Sequence, residues 1–253
     1  MLQALELDPN LSEAHATLGG LLCWDEWKWE EARKEMLIAI ELNPSYATAH
    51  QYYSELLSIL GQTEEALEEI NTALALDPYS SAMLDNKSVY YYNQGKMEES
   101  LSVLKYLEEV NPNYTPGYNS CFFIYLRKGE NLKAVEAFKE CLAVDSLSAI
   151  KADSVKEIYN KSKIIGLLKW RIDSELKKTR PNAVTLAKYN ILLGKKEESL
   201  KWLEKAVQIR VPEIPWINND PDYQILHLEP RYKKVINHMG LTDYPKKDFE
   251  INH

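Results

Sequence analysis

The sequence predicts an all-α solenoid of antiparallel helix hairpins, and the first reason is a repeated landmark. Pro9, Pro44, Pro78 and Pro112 are followed by Ser146 in the next slot, so the successive spacings are 35, 34, 34 and 34 residues. A fixed period in this range is typical of repeat arrays in which each unit packs on its neighbours.

The second reason is that small residues recur at fixed distances from each proline. A small side chain in the middle of each helix would let two antiparallel helices approach closely, and a glycine between them would end the first helix and reverse the chain. The proline then closes the second helix, where its missing N–H costs least. The positions are ten residues after the proline (Gly19, Ser54 and Ser88, but Phe122), seventeen after it (Gly61, Gly95 and Gly129) and twenty-two after it (Ala66, Ser100 and Ala134).

This pattern resembles the tetratricopeptide repeat family, and the resemblance holds over four successive units from Leu11 to Ser146. It implies a right-handed superhelix, a TPR-type α-solenoid, that presents a concave groove to a protein or peptide partner.

The predicted organisation has five parts. Residues 1–10 are a partial repeat, the end of a second helix, which predicts that the sequence begins inside a longer solenoid; whether Met1 is the native start is left open. Residues 11–146 form four repeats, and 147–180 form a degenerate hairpin with helices near 149–161 and 164–178. Residues 181–211 form a further repeat, and residues 212–253 form a capping segment.

Composition places the chain in the globular class. It has 253 residues, 45% apolar and 27% charged, with a net charge of −8, so it is not disordered. It has no apolar run long enough to cross a membrane, and we expect no membrane insertion. We also expect no nucleic-acid binding through this region.

The charge is uneven, at −14 over residues 1–150, +8 over 151–210 and −2 over the rest. The basic stretch has two interpretations: solvated helix faces, or a patch for an acidic partner or a neighbouring domain.

Nothing in the sequence indicates an active site. It has no phosphate-binding loop, no zinc-protease motif and no nucleophile elbow, so we expect no enzyme activity, cofactor or metal. Paired glutamates such as Glu64-Glu65 start second helices, where the helix dipole favours carboxylates. Cys23, Cys121 and Cys141 are expected to be free thiols, because they lack metal-site spacing.

The groove is the remaining candidate site. In the family its wall comes from the first helix of each repeat, and here aromatic and amide side chains suit recognition of an extended peptide. The predicted lining lacks the lysine and arginine clamp of chaperone-binding relatives, which disfavours a chaperone-tail adaptor. Because it carries two acids against one arginine, we expect a partner that is neutral or basic at one end. The lining residues are Gln51, Tyr52, Glu55, Asp85, Asn86, Val89, Tyr92, Asn119, Phe123 and Arg127.

Two further stretches bear on function. The aromatic turn Trp24, Trp27, Trp29 either packs locally over the end of the core, which we prefer, or forms a docking site. In the C-terminal segment, Asp220-Pro221 and Glu229-Pro230 predict two short helix starts.

This ending resembles the tetratricopeptide regions of bacterial signalling proteins, which follow a winged-helix, cyclase or serine/threonine kinase domain. The resemblance implies a non-enzymatic interaction or sensory module with an upstream effector domain. We expect it to be cytoplasmic, or periplasmic if attached to a membrane-spanning regulator. The alternatives are a free-standing scaffold and, third, an enzyme; the oligomeric state is left open.

Overall fold

The structure is a computed structural model that describes residues 2–144 and 152–242. Helices follow one another in pairs through these ranges. They are α1 (Leu2–Leu7), α2 (Ser12–Leu21), α3 (Trp29–Leu42), α4 (Ala47–Ile59), α5 (Thr63–Leu76), α6 (Ser81–Asn93), α7 (Met97–Val110), α8 (Thr115–Arg127), α9 (Asn131–Val144), α10 (Ala152–Leu176), α11 (Ala183–Leu192), α12 (Lys196–Gln208) and α13 (Pro230–His238).

Glycine turns join the two helices of a hairpin as predicted. Gly61, Gly95, Gly129 and Gly194 all have φ between 72° and 81°, a conformation that glycine adopts without steric cost. The amide of the next residue reaches back five positions, as in Gln62 N–H to Leu57 O at 2.9 Å. This is the Schellman ending of an α-helix, which satisfies its last carbonyls.

The first full repeat turns differently because it carries one extra residue. A π-helical turn, Leu22–Glu26, extends α2, and Trp27 takes the left-handed conformation (φ 58°) that glycine takes elsewhere. A π turn is the form in which a helix absorbs a single inserted residue. The insertion therefore places three tryptophans around the tip of this hairpin.

Small residues lie at the contacts between paired helices. A Cβ on Gly19 would stand 2.7 Å from Met36 Cγ, so only glycine fits there. Ser100 Oγ donates to Ser88 O across its hairpin at 2.7 Å. Ala66 and Ala134 are fully buried. The close approach predicted from the repeat positions is confirmed at these four places.

The segment after the fourth repeat is helical over Ala152–Leu176 but broken at Lys163, where φ is 54°. The break falls between the two helices predicted for 149–161 and 164–178. Helix α10 packs between α9 and α11. Residues 145–151 lie outside the described residues. The division of the chain into repeat units stays an interpretation of this helix order.

The first helices of successive hairpins lie side by side, because α2 contacts α4, α4 contacts α6, and α6 contacts α8. They form one wall, which we call the inner wall.

Residues 212–242, called the tail below, contain two 3₁₀ helices, Ile214–Asn218 and Pro221–Leu226, and α13. The second 3₁₀ helix and α13 each begin at the proline predicted to start them. Asp220 caps the former by accepting from Asp222 N–H at 2.9 Å. Gly240, with φ 69°, follows α13.

The tail packs on α11 and α12, and it also reaches the start of the solenoid. Asn219 Nδ2 donates to Ser58 O at 2.7 Å, satisfying a carbonyl at the end of α4. Trp29 Nε1 donates to Met239 O at 2.7 Å. One continuous core includes residues of α3, α4, α11, α12 and the tail. The tail therefore ties the first repeats to the last hairpin, a contact that the sequence did not reveal.

Within residues 2–144 and 152–242, none of the helices combines the length and apolar character needed to span a bilayer.

Candidate functional site: the inner wall and the tail

The predicted lining residues lie on three neighbouring first helices. Gln51, Tyr52 and Glu55 are on α4; Asp85, Asn86, Val89 and Tyr92 are on α6; and Asn119, Phe123 and Arg127 are on α8. The structure brings members of adjacent repeats into direct contact, but the tail adds partners of its own.

Glu55 joins the first two of these helices. Its Oε1 accepts from Asn86 Nδ2 at 2.7 Å and from Gln51 Nε2 at 3.0 Å. Burial raises the pKa of Glu55 to about 7, and these two amide donors offset only part of that effect. Since both partners are neutral, the carboxylate loses its water without gaining a cation.

Asp85 makes the equivalent link between α6 and α8. Ser120 Oγ donates to Asp85 Oδ1 at 3.0 Å. Burial raises the pKa of Asp85 to about 6. The wall from α4 to α8 thus carries two half-buried carboxylates, each held by neutral hydrogen-bond donors.

The tail contacts the C-terminal ends of α6 and α8. Tyr92 Oη donates to Asp222 Oδ1 at 3.0 Å, and Arg127 Nη1 lies 3.2 Å from the same oxygen. Both residues were predicted to face a partner. Here they hold the chain's own second 3₁₀ helix, so the C-terminal ends of α6 and α8 are already engaged.

Lys188 of α11 completes this cluster. Its Nζ is 2.6 Å from Asp220 Oδ2 and 3.1 Å from Asp222 Oδ2, and it lies 4.4 Å from the centre of the Phe123 ring. Burial alone would lower the pKa of Lys188, but the two carboxylates raise it well above its usual range. The ammonium is therefore charged and serves as the ionic anchor of the tail.

Two hollows flank this anchor. A cavity of about 90 Å³ lies where the tail meets the wall, with Val89, Trp216 and Asp220 among its lining residues. A wider groove of about 460 Å³ runs between α8 and α11, and we call it the α8–α11 groove. Its lining includes Thr115, Asn119, Phe123, Arg171, Thr185 and Lys188.

Sequence reasoning identified Asp220 only as a helix cap and did not single out Lys188, Asp222 or Arg171. One signal was available. Helix α11, AVTLAKYNIL, contains one charged residue, Lys188, and a lone charge in a largely buried helix requires a nearby counter-ion. Nothing in the sequence revealed that the counter-ions come from residues more than thirty positions away.

The other candidates are structural. His15 Nδ1 lies 2.6 Å from Glu35 Oε2 and its Nε2 lies 3.0 Å from Pro9 O, and His50 makes the same pair of contacts in the next repeat. Each histidine thus ties a first helix to the preceding proline turn.

Glu64-Glu65, Glu98-Glu99 and Glu197-Glu198 lie in the first turns of α5, α7 and α12. Cys23, Cys121 and Cys141 form no disulfide in the part of the chain that the structure describes. The described part of the chain contains no group of three potential metal ligands.

The tryptophan turn packs against the tail. Trp27 and Trp29 are 8% and 5% exposed, and the Trp27 ring contacts His238 edge to face and the guanidinium group of Arg210. The interpretation as packing therefore holds for these two residues, although the segment that they cover is about two hundred positions away.

No protein-family profile matches the sequence, and no curated protein matches it either. Solved structures do resemble it. PilF of Pseudomonas aeruginosa has 18% identity and a TM-score of 0.55, covering 82% of this chain and 95% of that one. A tetratricopeptide repeat protein from Parabacteroides merdae has 15% identity and a TM-score of 0.53, covering 91% and 98%.

A thermophilic TPR protein of Thermus thermophilus, TTC0263, has 21% identity and a TM-score of 0.50, covering 83% and 98%. At these identities the likeness concerns the fold alone. Together with the paired helices and glycine turns, it shows that this chain folds as an all-α solenoid of the tetratricopeptide-repeat type.

Proposed function

We propose that this protein is a non-enzymatic interaction module that binds an extended protein segment along its inner wall. The observation that carries the proposal is the row of aromatic and amide side chains on α4, α6 and α8, of which Asn119 and Phe123 open into a groove of about 460 Å³.

The tail defines where such a segment would lie. Its polar contacts with the wall fall at Ser58 and Ile59 of α4, Tyr92 of α6 and Arg127 of α8, all near helix C-termini. The N-terminal halves of the same helices carry Gln51, Asn86 and Asn119. A partner would therefore run across these halves, beside the tail.

The carboxylates and aromatic rings of the wall indicate which chemical groups a partner would carry. Glu55 and Asp85 are held by neutral donors, so a basic or neutral group of the partner suits the part of the wall that α4 and α6 form. Tyr52 adds an aromatic surface, with its ring edge-on to Trp24 at 4.8 Å. Such a ring contributes contact area at low entropy cost.

A blocking substitution tests the site without removing existing contacts. Asn119→Trp would fill the α8–α11 groove, and Ser102→Trp, at an exposed position of α7, is the matched control. Capture of partners from a lysate should fail with the first variant and persist with the second, provided that both melt like the wild type. Equal capture by both variants would place the binding surface elsewhere.

We also propose, from the resemblance of the Asp-Pro and Glu-Pro ending, that the module is the C-terminal part of a bacterial signalling or transcriptional regulator. The alternative is a free-standing scaffold. The reading frame upstream of Met1 decides between them, because a winged-helix, cyclase or kinase domain there would support the regulator and a stop codon would refute it.

A further inference from the structure

We propose that the α8–α11 groove recognises a carboxylate side chain of an acidic partner segment, with Arg171 as the anchor. This inference rests on the proposed function and specifies the chemistry at one end of the same wall. It also gives the basic stretch at residues 151–210 a role beyond solvation.

The guanidinium group of Arg171 is held in place by its neighbours. Its Nε donates to Tyr189 Oη at 3.0 Å, and its guanidinium carbon lies 4.7 Å from the centre of the Phe138 ring and 5.2 Å from that of Tyr189. These contacts fix the plane of the group, and within residues 2–144 and 152–242 no hydrogen bond uses either terminal nitrogen. A fixed guanidinium loses little entropy when it binds a carboxylate through two parallel hydrogen bonds.

The charged residues that line the α8–α11 groove are all basic. Its lining contains two cations, Arg171 and Lys188, and neither Asp nor Glu. Lys188 is neutralised by Asp220 and Asp222. Among the described residues, no carboxylate lies within ion-pair distance of Arg171, so the described part of the chain leaves its positive charge uncompensated.

The adjoining part of the same wall already binds an acidic segment of this chain. Asp220 and Asp222 of the tail bind Lys188, Tyr92 and Arg127 beside Phe123. Lys188 and Phe123 line both the cavity at the tail and the α8–α11 groove. The groove is thus continuous with a surface that already binds two acidic residues of this chain.

The hydroxyl and amide groups of Thr115, Asn119 and Thr185 complete the lining and can bond the backbone of an extended segment. Since Glu55 lies on α4, at the other end of the wall, the preferred partner carries its acidic group near Arg171 and a neutral or basic group near α4.

An array of decapeptides with acetylated and amidated ends tests this, because no terminal charge then contributes. Three matched sets carry Glu, Gln or Lys at the same positions of common sequences. Wild-type protein should retain members of the Glu set, and fluorescence anisotropy should show roughly 10- to 100-fold weaker binding of their Gln counterparts, as for loss of a charge-assisted pair. Binding should also weaken as salt is raised.

Variants then locate the effect. Arg171→Gln should weaken binding of the Glu peptides to the level of the Gln set, and Arg171→Lys should recover part of the affinity. Arg180→Gln, an exposed arginine of the same basic stretch, is the control and should bind like the wild type.

Thr185→Glu keeps Arg171 and its ring contacts, and it places a carboxylate at the third position of α11, where the helix dipole favours it. It should abolish selection of the Glu set while the protein melts like the wild type.

The outcomes separate the two proposals. If peptides bind without preference for Glu, or if Arg171→Gln and Thr185→Glu leave binding unchanged while Asn119→Trp abolishes it, the acidic partner is wrong and the interaction module stands. If no peptide of any set binds, the inference falls; if partners captured from a lysate are also indifferent to Asn119→Trp, the proposed function falls as well.

Discussion

Replacing Glu55 by Gln should stabilise the protein above neutral pH and leave it unchanged near pH 4. Burial raises the pKa of Glu55 from 4.5 to about 7, and each unit of this shift corresponds to about 1.4 kcal/mol. The ionised carboxylate therefore costs about 3 kcal/mol of unfolding free energy at pH 8. A glutamine carbonyl can accept the same hydrogen bonds from Gln51 and Asn86 without carrying the charge.

The sign follows from proton binding. Between pH 4.5 and 7 the folded state holds a proton on Glu55 that the unfolded state has lost, so stability falls as the pH rises through this window. Asp85, with its pKa raised to about 6, acts in the same direction. The difference between wild type and Glu55→Gln isolates the contribution of Glu55.

Urea unfolding followed by circular dichroism at pH 4, 6 and 8 measures the effect. Glu55→Gln should gain about 3 kcal/mol over the wild type at pH 8 and nothing at pH 4. Glu65→Gln, on the exposed face of α5, is the control and should change stability by less than about 0.5 kcal/mol at every pH. A variant that is less stable than the wild type at pH 8 would refute the assignment of Glu55 as a carboxylate without a cation.

Three further predictions concern stability, and thermal melts measure each of them. Ala66→Leu should overpack the second hairpin and cost about 1–3 kcal/mol; an unchanged melting temperature would contradict the repeat register. Lys188→Met should cost about 3–5 kcal/mol, because it leaves Asp220 without a cation and Asp222 with Arg127 alone; a loss comparable to that of an exposed lysine would show that the tail is not anchored there. His15→Phe should lose more unfolding free energy at pH 5.5 than at pH 8.5. Burial lowers the pKa of His15, but the bond to Pro9 O and the Glu35 carboxylate outweigh burial and raise it above its usual value. The stability that the protonated ring contributes is therefore lost as the pH rises through the pKa of the folded state. An equal loss at both pH values would show that the ring contributes only packing.

A fifth prediction concerns deletion of residues 213–253. The tail fills one core with α3, α4, α11 and α12, so its removal exposes apolar surface at both ends of the solenoid. Aggregation, or loss of helical signal, is the expected result. A soluble truncation with an unchanged melting temperature would mean that the tail contributes no stability.

The fold followed from local rules that the sequence displays directly. Glycines such as Gly61 and Gly129 mark turns that require positive φ, and small residues such as Ala66 mark close helix contacts. These signals repeat every 34 residues, so each unit supports the assignment of the next. The left-handed Trp27 could not be predicted in this way, because a one-residue insertion does not by itself indicate which residue absorbs it.

The candidate site could be predicted only in part. The choice of first helices as the wall follows from the repeat and its family resemblance. The position of the tail depends on contacts such as Trp29 to Met239 and Tyr92 to Asp222, whose partners are 210 and 130 residues apart. Tertiary packing alone decides such pairings, and a sequence pattern read along the chain carries no trace of them.

The most direct test of the central claim, that a partner lies along the N-terminal halves of the first helices beside the tail, is amide chemical-shift mapping. A ¹⁵N-labelled sample would be titrated with the decapeptide that binds most tightly. The largest shifts should map to α4, α6, α8 and α11, with Asn119 and Thr185 among them. Shifts confined to α5, α7 and α9, or to the turn from Trp24 to Trp29, would contradict it.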